Sequence, residues 1–79
     1  MSRLDYIRER RGLPFVKRGM KVEVNYAGKT KTGVITGAND SGNLNVRFNG
    51  NKHSDNCHPR WAIKYFDSEG NTLAEFPDK

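Results

Sequence analysis

Between Gly19 and Phe48 the chain alternates apolar and polar residues in three runs separated by glycine-bearing turns. Met20, Val22, Val24 and Tyr26 share one face of the first run, with Lys21, Glu23 and Asn25 on the other. Residues 31–36 make the second run. In the third, Leu44, Val46 and Phe48 lie on one face and Arg47 opposite. A period of two is what a half-buried strand requires, because successive side chains point to opposite faces. Two further runs, 61–66 and 72–76, flank Asp67-Ser68-Glu69-Gly70, a tight turn with glycine where a positive φ is cheap. Short strands at this spacing predict a mainly β fold, a small barrel of about five antiparallel strands over 20–26, 31–36, 44–48, 61–66 and 72–76. Val34 and Ile35 point to opposite faces, as happens where a strand bends between packed layers. Residues 49–59 read as the longest loop.

The first residues follow a different pattern. Ser2 can cap a short helix, Asp5 then falls at its third position, and Leu4 and Ile7, joined by Tyr6, share a face. Arg8-Glu9-Arg10-Arg11 continues it until Gly12 and Pro14 stop it. A helix this short is marginal alone, so docking of the Leu4/Ile7 face on the barrel is expected. The organisation is therefore a basic helix over 1–12 and a barrel over 13–79, one domain in all. Leu13 and Phe15 are expected to cover one end of the core.

With 79 residues, 34% hydrophobic content and a mean hydropathy of −0.87, the chain has apolar material for one thin core. The formal charge is +5. It is unevenly spread: residues 1–31 carry nine Lys/Arg against Asp5, Glu9 and Glu23, while the remainder is close to neutral. Such an asymmetry fits a polyanion-binding face and equally fits a charge that keeps a small domain in solution. No window approaches the roughly 18 apolar residues of a membrane span, and the first residues lack a signal-type apolar stretch. Cys57, being single, excludes an intrachain disulfide. A cytoplasmic, non-membrane protein is expected.

Three constellations carry possible chemistry. The basic set of the N-terminal part also contains Arg3 and Lys21; its candidate phosphate contacts are Arg8, Arg10, Arg11, Lys17, Arg18, Lys29 and Lys31, extended by Arg47 and Arg60. Tyr26, Trp61 and Tyr65, with Phe48, can form an aromatic platform for bases, or can be core, which the scarcity of other large apolar side chains favours. His53, Cys57 and His58 are metal-binding residue types, but a loop this short seldom wraps a metal and no second cluster completes a shell; no metal or other cofactor is expected. Cys57 beside His58 does not make a nucleophile–base pair, since neighbours on an extended segment point apart. No paired-carboxylate or phosphate-loop signature is present, so neither an enzyme nor a small-molecule substrate is expected.

The stretches Arg18-Gly19-Met20-Lys21-Val22-Glu23-Val24, Thr32-Gly33-Val34-Ile35-Thr36-Gly37 and Gly42-Asn43-Leu44-Asn45-Val46-Arg47-Phe48 resemble SH3-like barrels of the Tudor/KOW kind, over about residues 18–66. That resemblance implies a binding module, and in Tudor-like folds aromatic cages take methylated side chains. The longer order from the charged helix, through His58-Pro59-Arg60-Trp61, to Tyr65-Phe66-Asp67 and Gly70 is similar to small uncharacterised phage and prophage proteins. It implies a phage-type origin and no particular activity. Two functions follow as expectations: a non-catalytic module contacting nucleic acid through its basic N-terminal face, or a protein-interaction adaptor using loops or a free strand edge, self-association included.

Overall fold

The alternating runs become a single antiparallel sheet in the computed structural model, which describes residues 3–26 and 28–77, Tyr26 by its backbone alone. Helix α1 (Arg3–Arg10) precedes strands β1 (Lys21–Tyr26), β2 (Lys29–Ala38), β3 (Leu44–Phe48), β4 (Asp55–Cys57), β5 (Ile63–Phe66) and β6 (Thr72–Phe76). The strand order is β4-β3-β2-β1-β5-β6. This corrects the expectation of about five strands in a closed barrel: the described residues form six, and the sheet is open between β4 and β6. The sixth strand is β4, drawn out of the 49–59 loop by pairing Asp55, Asn56 and Cys57 with Val46, Asn45 and Leu44.

Leu4 and Ile7 of α1, with Leu13, Val16 and Met20 from the segment leading into β1, join the inward residues Val22, Val24, Ile35, Leu44, Val46, Ile63 and Tyr65 in one cluster. The helix is therefore docked through Leu4 and Ile7, while Tyr6 is 46% exposed and does not share their buried face. The Ser2 cap lies outside the described residues. A Cα radius of gyration of 11.5 Å is close to the roughly 12 Å of a compact chain this long. No helix among the described residues is long and apolar enough to cross a membrane.

Two local features set the sheet's shape. Gly33 sits opposite Phe48, and a Cβ there would fall 2.5 Å from the Arg47 carbonyl oxygen and 2.9 Å from the Phe48 Cα. Only glycine lets β2 and β3 approach this closely. Two residues on, the β2–β3 register shifts between Ile35 and Gly37, leaving Thr36 as the extra residue of a bulge. Its hydroxyl lies 3.2 Å from the Asn45 carbonyl and 2.6 Å from the Ser54 hydroxyl, which fastens the approach to β4.

Candidate nucleic-acid interface

The cations nominated from the sequence separate into three groups. The first is built into the scaffold. Arg8 donates from Nε to the Val16 carbonyl (2.7 Å) and from Nη1 to Asp5 (2.6 Å). Arg11 donates to the Gly42 carbonyl at 3.2 Å. Arg60 donates to the Arg11 carbonyl at 2.9 Å and lies 4.9 Å over the Phe76 ring. These guanidiniums fasten the helix and its exit to the sheet. Arg3 pairs with Asp40 in the β2–β3 loop, and Arg10, exposed at the helix end, belongs to none of the three groups.

The second group stands at the β1–β2 hairpin. Lys29 is exposed there, and the Lys31 ammonium lies 5.8 Å over the Phe48 ring. β1 spans five residue steps between Lys21 and Tyr26, which pairs with Lys29, so this hairpin is about 17 Å from the start of the strand.

The third group is exposed and close together. Lys17 and Arg18 occupy a turn closed by the Met20 N–H donating to the Lys17 carbonyl (3.2 Å). Gly19 has φ +88°, the left-handed geometry a type II turn needs at its third position. The turn is tied to β2 by Gly19 N–H donating to the Ile35 carbonyl (2.7 Å) and Ile35 N–H donating to the Met20 carbonyl (2.9 Å). Lys21 then opens β1 on the outward face. It pairs with Val34, which pairs with Arg47, so Lys21 and Arg47 flank Val34 on one face, two strand spacings or about 10 Å apart. No side chain of Lys17, Arg18, Lys21 or Arg47 is held in a hydrogen bond or ion pair with a described residue. Elsewhere on this face Lys64 is shared by Glu23 and Glu75, 3.8 Å from each, and contributes little net charge.

The aromatic candidates divide as well. Tyr65 is fully buried and Phe48 is 7% exposed, so both are core residues and neither offers a platform. Tyr65 meets Phe15 and Phe76 edge-on at 5.3 and 6.3 Å between centroids. Trp61, 38% exposed, lines a hollow of about 440 Å³ with His58, Arg60 and Pro77. The Tyr26 side chain lies outside the described residues.

His53, Cys57 and His58 do not converge, and among the described residues no three of His, Cys, Asp and Glu form a metal-sized cluster. Burial pushes the Cys57 thiol up to about 11, with Asp55 adding to the effect. His58 Nδ1 accepts from the Arg60 N–H at 3.1 Å, and burial first, then the Arg11 charge, holds its pKa below the usual value. No protein-family model, curated protein or solved structure matches the chain.

Proposed function

We propose that this chain is a non-catalytic nucleic-acid-binding module whose contact surface is the 17–21 turn and the outward face of β1–β3. The observation that carries the reading is a group of four exposed cations, Lys17 and Arg18 in the turn and Lys21 and Arg47 on the outward sheet face, whose side chains bond to no described residue. Cations spaced over two strands suit a phosphate backbone, whose charges repeat along a line. The buried, hard-to-ionise Cys57 supports a role without covalent chemistry. On the resemblance of its sequence to small phage and prophage proteins with SH3-like sheets, we place the module as a phage-type accessory protein of the host cytoplasm.

The test is fluorescence anisotropy with labelled DNA and RNA at low salt. Binding is expected, with log K falling against log salt at a slope of about −3 to −4 for four neutralised phosphates. Serine at Lys17, Arg18, Lys21 and Arg47 together is expected to abolish it, whereas Lys29→Ser is expected to leave it nearly unchanged. No retention of either nucleic acid at low salt overturns the reading.

A second reading, a protein adaptor that pairs through a strand edge, rests on β6. This strand ends the open sheet, and its Leu73 is 44% exposed. Concentration-dependent self-association by sedimentation, insensitive to the four serine substitutions, would favour it.

A further inference from the structure

Beside the 17–21 turn runs a groove of about 840 Å³, with the Asp67-Ser68-Glu69-Gly70 turn of the β5–β6 hairpin as its far wall. Its two walls differ in sign. Lys17, Arg18 and Lys21 line one, Asp67 and Glu69 the other, and Phe15, Phe66 and Leu73 supply apolar surface between them. The Asp67 carboxylate is engaged by its own turn, accepting the N–H groups of Asn71 and Glu69 at 2.9 Å each, and these, Asn71 foremost, hold its pKa below the usual carboxylate value. Glu69 is exposed.

Resting on the nucleic-acid reading above, we infer that this groove takes a single strand, with phosphates along Lys17, Arg18 and Lys21 and bases on Phe66 and Leu73. The asymmetry of the walls selects this occupant. A duplex laid here would bring its second row of phosphates toward Asp67 and Glu69, and like charges repel. An acidic peptide in extended form carries side chains to both walls and meets the same repulsion. A single strand has one anionic edge and one uncharged, flat edge with amino donors, which matches a cationic wall, an apolar floor and carboxylate acceptors.

The experiment compares a labelled 12-nucleotide mixed-sequence single strand, its duplex and an acidic peptide by anisotropy at one low salt concentration. Amide shifts of Gly19 and Gly70 are followed by NMR, since both residues line the groove. The single strand is expected to bind at least about tenfold tighter than the duplex and to move both glycine amides. Leu73→Ser, at an exposed position, is expected to weaken the single strand about fivefold and leave the duplex unchanged. Glu69→Lys, on an exposed turn, is expected to raise duplex binding toward that of the single strand. Equal or tighter duplex binding, or single-strand binding that leaves Gly19 and Gly70 unmoved, overturns the groove assignment while the nucleic-acid reading stands. Failure of both oligonucleotides to bind overturns both, as does peptide binding in their place.

Discussion

The phenol of Tyr65 donates to the carbonyl of Pro59, and both residues are buried. The bond joins β5 to the start of the segment that follows β4, so it ties the two halves of the open sheet through a side chain. Burial holds the phenol well above its usual pKa, and it remains a donor across the working pH range. Tyr65→Phe keeps the ring against Phe15 and Phe76 but leaves the Pro59 carbonyl without this donor. The expected cost is about 1–2 kcal/mol. In a domain of this size that is a fall of about 5–15 °C in Tm, read by thermal melts followed in the near ultraviolet.

Gly33 and Gly37 lie in the same strand yet should respond differently to alanine. A Cβ at Gly33 meets the Arg47 carbonyl and the Phe48 Cα, both backbone atoms that cannot rotate away. Gly33→Ala is therefore expected to cost about 3 kcal/mol by pushing β2 from β3. A Cβ at Gly37 meets only an Arg18 guanidinium nitrogen at 3.9 Å, an ordinary contact with a flexible side chain. Gly37→Ala is expected to stay within about 1 kcal/mol. Urea titrations of the two variants check the pair.

Period-two alternation placed the strands that became β1, β2, β3, β5 and β6, because a half-buried face writes itself into neighbouring residues. Met20, Val22 and Val24 point inward as that pattern requires, and Arg47 points outward between Val46 and Phe48. β4 was hidden because Asp55, Asn56 and Cys57 have no preference for extended structure; their pairing with β3 makes the strand. Whether the sheet closes depends on contacts far apart in the chain, which local pattern does not encode. Val16, wholly buried, directly follows Phe15 in a segment whose apolar residues show no period. Of the site, the charge of the 17–18 turn was legible, and so was the outward parity of Lys21 against Val22. The commitment of Arg8, Arg11 and Arg60 was not. In the sequence they look like Arg18; what separates them is a carbonyl at Val16, Gly42 or Arg11, brought near only by folding.

His58 gives the fold a pH dependence with a definite sign. Its pKa is lowered in the folded protein, so the unfolded chain binds the proton more readily. Stability is then fully present above the ordinary value of 6.5 and falls as pH drops below it, levelling once the folded value is passed. Protonation also removes Nδ1 as acceptor for the Arg60 N–H. Urea denaturation at pH 7.5 and at pH 5 should give the lower stability at pH 5. His58→Asn, which keeps an acceptor but does not titrate, should flatten this part of the profile.

Cys57 reports on how independently the edge strand moves. Its thiol is buried opposite Leu44 and carries a pKa of about 11, so reaction with iodoacetamide at neutral pH requires an opening that restores both access and ionisation. β4 has only three residues, its Asp55 and Asn56 are exposed, and one edge has no strand beside it. Such an element opens at lower free energy than the strands between β3 and β5, which pair on both sides. Alkylation under native conditions should therefore proceed with a protection free energy smaller than the global unfolding value from urea. Its rate should depend only weakly on denaturant below the main transition. A rate that follows global unfolding, with the full denaturant dependence, would instead make β4 part of the same cooperative unit as the Leu44–Val46–Phe48 core.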